Sequence, residues 1–327
     1  MKAEQFLLGS GHSRATIHVG LVNNMPDAAM RATELQFARL LKQAAGTLDV
    51  RLRLFSLGSI ARDEDTRARM AGFYDDAAFL QAANIDALII TGAQPMKADL
   101  REEAYWEELA QLITWAETGT ISTLFSCLAA HAAVLHLDGI VRRPMPVKLS
   151  GLYESYRTED DPLFFNTATR VTVPHSRRND IAESDLTAKG YRVLARMDCS
   201  YGSHADIFTR ELPGYSRFVF LQGHPEYDPG TLGREYLRDM TRFLAGEGER
   251  PRIPENYFDR ATEDRLAMIE AKGATDPARY QNVVLGALPR QIWRPNTVRL
   301  MSNWLTLVAA AKARRTASKA VPTRRRA

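Results

Sequence analysis

Short apolar runs alternate with amphipathic helical patterns along most of the chain. The apolar runs, each about the length of a buried strand, cover residues 15–22, 50–57, 85–92, 121–125 and 217–224. Helical patterns cover residues 27–46, 101–119 and 127–139. Short apolar strands that alternate with helices are typical of a parallel sheet with helices on both faces. The pattern therefore predicts an α/β fold with a mostly parallel sheet.

The remaining segments predict a less uniform architecture. Residues 141–157 predict a hairpin or loop that leads into less regular sheet, residues 230–248 a helix, residues 251–260 a surface connection, and the segment from residue 297 a terminal amphipathic helix. We expect one α/β domain over residues 15–310, with a helical C-terminal extension and an N-terminal arm of residues 1–14.

The formal net charge of +4 does not by itself indicate a nucleic-acid partner. Seven of the 43 basic residues and none of the 39 acidic residues lie in residues 311–327, so the rest of the chain is slightly acidic. A basic end rich in Ala, Ser and Thr is typical of a disordered, solvated tail, and a weak contact with an anionic partner is the alternative. We expect no nucleic-acid partner and assign no function to this tail.

The apolar runs are too short for a membrane helix, and the first residues lack the apolar stretch of a secretory signal. The composition, 45% hydrophobic and 25% charged, is that of a globular protein. The chain has two cysteines, Cys127 and Cys199, and a protein of this size has no need of a disulfide. We therefore predict a cytoplasmic protein with free thiols and no membrane association.

Cys127 stands at a predicted junction between a strand and a helix. The strand pattern ISTLF ends at Phe125, and a helical pattern of small and apolar residues begins at Leu128. A side chain at such a turn projects at the carboxyl end of the sheet, where open α/β sheets bind ligands. The unpaired amides at a helix start stabilise a thiolate, and they also stabilise an oxyanion on a substrate carbonyl. Cys127 is therefore a candidate nucleophile, with a buried packing thiol as the alternative.

A candidate base follows a second strand. His224 and Glu226 come directly after the strand pattern RFVFLQ, and Pro225 between them favours an extended conformation at His224. The order Cys, then His-x-Glu, fits a catalytic triad in which Cys127 is the nucleophile, His224 the base and Glu226 the orienting group. A structural histidine paired with a glutamate is the alternative interpretation.

Other candidate sites are weaker. The sequence contains no CxxC, HExxH or GxSxG motif and no phosphate-binding glycine motif, so we predict no metal and no bound cofactor. His131 and His136 are expected to be packing or surface residues. Cys199, in MDCSYGSH, has no evident activating partner in the sequence and is expected to be structural.

Eight motifs in order resemble those of a known family, the homoserine O-acyltransferases of methionine biosynthesis. They span roughly residues 17–308 and read VNNMPDAAMRATELQF, IITGAQPMKADLREEAYWEEL, CLAAHAAVLHLDGI, PMPVKLSGLYE, VPHSRRND, LQGHPEYD, REYLRD and IWRPNTVRLMSNWL. The resemblance implies a class I glutamine-amidotransferase-like (flavodoxin-like) fold, a homodimer, and ping-pong acyl transfer from an acyl-coenzyme A to homoserine. In that reaction Cys127 carries the acyl group, His224 acts as the base and Glu226 holds the imidazole.

The resemblance also implies three residues that bind the acceptor: Lys148 in KLSG, Ser176 in PHSR and Arg238 in REYLRD. Arginine is suited to bind a carboxylate with two hydrogen bonds, and Lys148 adds a second positive charge. Without the motif context, a single lysine or arginine is normally a surface charge.

The chain departs from the family pattern at two places. Leu128 and Ala129 replace the usual Trp-Gly after the nucleophile, and the loop that selects the acyl donor reads GAQPM, with Met96 at the selective position. A glutamate there favours acetyl-CoA and a glycine favours succinyl-CoA, whereas a flexible methionine admits either. We favour succinyl-CoA, keep acetyl-CoA as the alternative, and keep serine open as the acceptor.

A glutamine amidase or amidotransferase of the same fold is the alternative from another class. Such enzymes carry a Gly-x-Cys-x-Gly elbow, and FSCLA lacks both glycines. A binding protein without catalytic activity is disfavoured because all three residues of the predicted triad are present.

Overall fold

The computed structural model describes residues 6–7, 16–273, 275–287 and 289–320. The strands are β1 (Phe6–Leu7), β2 (Ile17–Val22), β3 (Val50–Ser56), β4 (Tyr74–Asp76), β5 (Ala87–Ile90), β6 (Ser122–Ser126), β7 (Arg143–Arg157), β8 (Arg170–Asp180), β9 (Arg192–Cys199), β10 (Gly202–Arg210) and β11 (Arg217–Leu221). The α-helices are α1 (Asp27–Ala44), α2 (Glu64–Met70), α3 (Trp106–Gly119), α4 (Leu128–Asp138), α5 (Glu183–Ala188), α6 (Thr231–Leu244), α7 (Arg260–Ala271), α8 (Pro277–Gly286) and α9 (Arg294–Ala320).

The described strands form one sheet with a parallel part and an antiparallel part. The strand order is β1-β3-β2-β5-β6-β11-β10-β9-β7-β8, and β4 pairs with β3. Strands β4, β3, β2, β5, β6 and β11 pair in parallel. The pairs β1–β3, β11–β10, β10–β9, β9–β7 and β7–β8 are antiparallel.

Helices cover both faces of the parallel strands, which confirms the α/β prediction. Ile90 and Phe125 face a core formed with α3 and α4. Ile89 and Leu124, one position away on the same strands, face a second core formed with α1 and α9. Since neighbouring strand residues point to opposite faces, near-continuous apolar runs are what a sheet covered on both sides requires.

A third core joins α6, α7 and α8. It contains Tyr236, Leu266 and Tyr280, together with Trp293 at the start of the last helix. This core fixes α6, which carries one of the predicted substrate residues. Across the described part of the chain, no helix is both long and apolar enough to cross a membrane.

The antiparallel part differs from the sequence prediction. Residues 141–157, expected to be a hairpin or loop, contain the single long strand β7, which pairs with both β8 and β9. Its pairing with β8 shifts register between Pro144 and Leu149. Proline removes a ladder donor, and this explains why the start of the strand resembled a loop in the sequence.

The C-terminal helix extends further than expected. Helix α9 continues to Ala320, so residues 311–320 are helical, whereas the sequence predicted a disordered tail from residue 311. The Lys312 ammonium donates to Asp86 Oδ2 at 2.6 Å and to the Thr16 carbonyl at 2.7 Å. These contacts with distant parts of the chain anchor the basic segment.

Both chain ends lie partly outside the described residues. Phe6–Leu7, within the predicted N-terminal arm, pair with β3. The rest of that arm, and residues 321–327 of the predicted tail, are not among the described residues.

Candidate active site

Cys127 occupies a sharp turn between β6 and α4, as predicted. Its backbone has φ 51° and ψ −111°, an unusual conformation for a residue with a side chain. Its N–H donates to the Leu221 carbonyl of β11 at 2.7 Å, and its carbonyl accepts from the Ala130 N–H at 2.9 Å. The thiol is half-buried and free. Contacts to the sheet and to the helix therefore hold the strained turn.

The loop after β5 lies directly against this turn. A Cβ atom added to Gly92 would lie 3.0 Å from Leu128 Cβ and 3.3 Å from Leu128 N. Only a glycine permits so close an approach to the first residue of α4. The amides of the first turn of a helix lack partners within the helix, so this turn can donate hydrogen bonds to an oxyanion beside Cys127.

His224 and Glu226 form the second part of the predicted triad. His224 Nδ1 lies 2.9 Å from Glu226 Oε1, and both side chains are buried. The backbone N–H of His224 donates to the backbone carbonyl of Pro174 in β8 at 2.7 Å. Because β6 and β11 are parallel neighbours, with Ser126 opposite Leu221, the segments that follow them meet at one sheet edge.

The protonation of His224 follows from these neighbours. Burial alone would lower the pKa of His224, but the charges of Cys127 and Glu226 and hydrogen bonds to both outweigh it. The pKa of His224 therefore lies well above its usual value. An imidazolium held between a sulfur and a carboxylate is the state expected of a Cys-His-Glu triad.

The start of α9 supports the loop that carries His224 and Glu226. The indole N–H of Trp293 donates to the Tyr227 carbonyl at 3.0 Å. Arg294 Nη2 donates to Asp228 Oδ1 at 3.2 Å. The IWRPNT motif thus supports the loop that carries His224 and Glu226, a role that the sequence did not predict.

The three predicted acceptor residues come together around two acidic side chains of α6. The Lys148 ammonium donates to Asp239 Oδ2 at 2.8 Å. The Ser176 hydroxyl donates to Glu235 Oε2. Arg238 Nη2 lies 2.8 Å from Asp239 Oδ1, and its side chain is 54% exposed. The cluster contains two positive and two negative groups, which suits a zwitterionic ligand.

Sequence reasoning missed both acidic residues of this cluster. Glu235 and Asp239 lie four positions apart on α6, with Arg238 between them. That spacing places the two carboxylates on one helix face. The spacing in REYLRD was a usable signal, but only the structure shows that β7 and β8 bring Lys148 and Ser176 to that face.

Met96 lies on the loop after β5 and is 77% exposed. Its N–H and that of Lys97 donate to Glu103 Oε1 at 2.6 and 2.7 Å. Arg142 Nη2 donates to the carbonyls of Lys97 and Ala98. The loop is thus held from two sides, while the Met96 side chain stays in solvent.

The structure also places the other cysteine and the two histidines that the sequence analysis considered. Cys199, expected to lack an activating partner, has one: its Sγ lies 3.5 Å from His204 Nε2. His131 is buried and hydrogen-bonds Gln222, and His136 hydrogen-bonds Thr114. Within the described residues, no group of three or more His, Cys, Asp or Glu side chains has the arrangement of a metal site.

The chain matches known proteins over most of its length. A family model described as homoserine O-succinyltransferase matches residues 9–314. Homoserine O-succinyltransferase of Rhodopseudomonas palustris is 47% identical over an alignment that covers 90% of this chain and 89% of the relative. Homoserine O-succinyltransferase of Bradyrhizobium japonicum is 44% identical over an alignment that covers 89% of this chain and 90% of the relative. A solved glutamine amidotransferase from Methylobacillus flagellatus, 11% identical, aligns over 90% of this chain and 96% of its own, with a TM-score of 0.49. The chain therefore belongs to the homoserine O-succinyltransferase family and is an acyltransferase.

Proposed function

We propose that the protein transfers a succinyl group from succinyl-CoA to the hydroxyl of homoserine through a thioester on Cys127. The observation that carries the proposal is the strained Cys127 turn beside the buried His224–Glu226 pair. The proposed acceptor residues are grouped around Glu235 and Asp239. Tyr227 links this group to the pair, because its ring stacks on His224 and its hydroxyl donates to Glu235.

In the first half-reaction, the Cys127 sulfur attacks the thioester carbonyl of the acyl donor. His224 accepts the thiol proton, and Glu226 holds the imidazole and stabilises its charge. The amides at the start of α4 donate to the oxyanion. The coenzyme A thiolate then leaves and takes the proton from His224. Exchange of one thioester for another is nearly isoenergetic, so the enzyme has only to lower the barrier.

In the second half-reaction, homoserine binds at the charged cluster on α6. Arg238 is half-exposed and can bind the substrate carboxylate, while Glu235 offers a negative partner to the ammonium group. His224 deprotonates the hydroxyl, which attacks the thioester and releases Cys127 with its proton. Positioned acid–base catalysis of this kind contributes roughly 10²- to 10⁴-fold.

The identity of the donor rests on the loop of Met96 and on the names of the relatives. The matched family and the similar proteins are named for succinyl transfer. A methionine at the selective position leaves room for the longer acyl group, and Lys97 beside it offers a positive charge for the succinyl carboxylate. Acetyl-CoA remains the alternative donor and serine the alternative acceptor.

We further propose that the enzyme needs no metal or cofactor other than its acyl-CoA substrate, that it is a homodimer and that it is cytoplasmic. The first two proposals are tested directly. Full activity after exhaustive dialysis against a chelator supports the first, and light scattering of the purified enzyme gives the mass that decides the second.

Intact-protein mass spectrometry tests the proposed reaction. The wild-type enzyme is mixed separately with succinyl-CoA and acetyl-CoA, before and after homoserine is added. We expect a succinyl adduct that homoserine removes, that Cys127→Ala abolishes, and that the matched control Cys199→Ala retains. An acetyl adduct alone would reassign the donor, and an adduct that only serine removes would reassign the acceptor.

The alternative from another class makes the opposite prediction. A glutamine amidase would form no adduct with either acyl-CoA and would release ammonia from glutamine. Full transfer activity in Cys127→Ala would exclude the thioester mechanism.

A further inference from the structure

Cys199 lies outside the active site, at the end of β9 in the hairpin that joins β9 to β10. The thiol is half-buried, and Ser200, Gly202 and Ser203 of the turn are exposed. Gly202 has φ 127°, a conformation that lets the chain reverse within three residues. The half-buried Cys199 thus packs on one side against the small apolar cluster of Leu149, Tyr153 and Met197 and lies next to exposed turn residues.

His204, on the opposite strand of the hairpin, provides a base for this thiol. Its Nε2 lies 3.5 Å from Cys199 Sγ, and its Nδ1 lies 2.6 Å from Asp180 Oδ2. The carboxylate fixes the ring so that Nε2 faces the sulfur. The contacts from thiol to imidazole to carboxylate thus have the same order as in the proposed triad of Cys127, His224 and Glu226.

Asp180 is itself held firmly. Its Oδ1 accepts from Arg177 Nη1 at 2.6 Å and from Gln222 Nε2 at 3.1 Å. Burial opposes ionisation of this carboxyl, but the hydrogen bonds and charges of His204 and Arg177 keep the pKa of Asp180 below its usual value. An ionised carboxylate with three fixed partners therefore holds the His204 ring in one orientation.

A backbone donor also points at the sulfur. The Tyr201 N–H lies 3.4 Å from Cys199 Sγ. A negative charge that develops on the sulfur is therefore met by an amide on one side and by the imidazole on the other. A thiol that only fills space in a core requires neither contact.

We propose that Cys199 is a second nucleophilic thiol and a modification site for small disulfides of low-molecular-weight thiols. His204 takes the thiol proton, and the Cys199 sulfur attacks one sulfur of the disulfide. The disulfide bond breaks as the mixed disulfide forms, and the departing thiolate takes the proton from His204. The second thiol of the small disulfide is thus released, and no further oxidant is needed.

The single-thiol protein Cys127→Ala isolates this chemistry, because Cys199 is then its only cysteine. The probe is dithiodipyridine, a small disulfide whose released thione is coloured. We expect replacement of His204 by glutamine in this background to slow the reaction at pH 7 by at least about tenfold, since the base is lost. His136→Gln in the same background is the control, because His136 contacts Thr114 and Trp106 instead of either cysteine.

A second measurement uses the unmodified chain and a disulfide of biological type. After treatment with oxidised glutathione, peptide mapping should find a glutathione adduct on the peptide that contains Cys199. Thermal melting of each variant shows whether the fold is intact. A reaction of Cys199 no faster than that of N-acetylcysteine, or an equal rate in the folded His204→Gln variant, would overturn the proposal.

Discussion

The ring of Tyr227 stacks on the imidazole of His224, with centroids 4.3 Å apart and planes inclined by 18°. The Tyr227 hydroxyl donates to Glu235 Oε1 at 2.7 Å. One side chain thus touches the proposed base and the charged cluster on α6. This contact fixes the position of the proposed acceptor cluster relative to the proposed base, as the proposed transfer from a thioester to a bound hydroxyl requires.

Replacement of Tyr227 by phenylalanine separates these two roles. The stack on His224 remains, but Glu235 loses a hydrogen bond to a charged group, which contributes about 1.5 kcal/mol. We expect the KM for homoserine to rise roughly tenfold. The rate of acyl-enzyme formation, measured by rapid quench and mass spectrometry, should stay within about twofold because the first half-reaction does not use Glu235.

The exposed Tyr215 offers a control for this experiment, since Tyr215→Phe removes a hydroxyl in solvent. An unchanged homoserine KM in Tyr227→Phe would show that Ser176 and Lys148 orient Glu235 well enough without Tyr227.

Glu226→Gln keeps a hydrogen-bond acceptor for His224 Nδ1 but removes the negative charge. The imidazolium then loses its stabilising partner in a buried site, and acyl-enzyme formation should slow by roughly 10²-fold. The matched control is Asp228→Asn, two residues further along the loop, where the carboxylate pairs with Arg39 and Arg294. Equal losses of activity in both variants would indicate that the loop moves, and would argue against a specific role for Glu226.

Arg238→Gln tests the proposed carboxylate site. A charged hydrogen-bonding partner contributes about 1.5 to 3 kcal/mol, so the homoserine KM should rise at least tenfold. Arg242→Gln, one turn further along α6, is a closely matched control because both arginine side chains are 54% exposed. Steady-state kinetics with homoserine varied at saturating succinyl-CoA measures the difference. Similar KM values in the two variants would place the substrate carboxylate elsewhere.

The placement of the proposed triad could be predicted from the sequence because it follows from local rules. Cys127 and His224 each follow an apolar strand, and the carboxyl ends of parallel strands lie at one edge of the sheet. The sequence did not show that β6 and β11 are direct neighbours, but the expectation that the two side chains meet required only a shared edge. The structure places both at that edge.

The acceptor cluster depends on contacts that no local pattern contains. Lys148 and Asp239 are 91 positions apart, and Ser176 and Glu235 are 59 apart. These pairs form only after β7 and β8 have joined the antiparallel part of the sheet, which the sequence did not predict. Lys148, Ser176 and Arg238 were named through a family resemblance, and Glu235 and Asp239 were missed.

Cys199 and residues 311–320 also make contacts that the local sequence did not reveal. His204, the proposed base for Cys199, is only five residues away, but a hairpin had to be recognised before His204 could be placed opposite the thiol. Residues 311–320 continue α9, and Lys312 within them donates to Asp86, 226 positions away, a contact that no local pattern contains. Composition favoured a solvated tail for residues 311–320, and the lack of an evident partner in the sequence favoured a structural thiol for Cys199.

Gly92→Ala probes the contact behind the nucleophile. The added Cβ would lie 3.0 Å from Leu128 Cβ, so the loop or the start of α4 must shift by a few tenths of an ångström. We expect a loss of stability of about 1 kcal/mol or more and a larger fractional loss in acyl-enzyme formation, because the amides beside Cys127 move. Gly286→Ala is the control, since among the described residues no other part of the chain lies within 4 Å of its added Cβ. Urea unfolding and acylation kinetics of both variants give the comparison.

His131 is expected to make the fold sensitive to acid. It is fully buried on α4, one turn beyond Cys127, and burial, with the charge of Arg177, lowers the pKa of His131 to about 4. As the pH falls below about 6.5 the unfolded chain binds a proton that the folded chain does not, so stability decreases until the folded-state pKa is reached. Between pH 7 and pH 5 this loss is about 2 kcal/mol. His131→Gln can keep the hydrogen bond to Gln222 but cannot be protonated. Urea unfolding at pH 7 and at pH 5 should therefore show that the variant lacks this part of the wild type's loss of stability. An equal loss in both proteins would mean that His131 is already protonated, or accessible to water, in the native state.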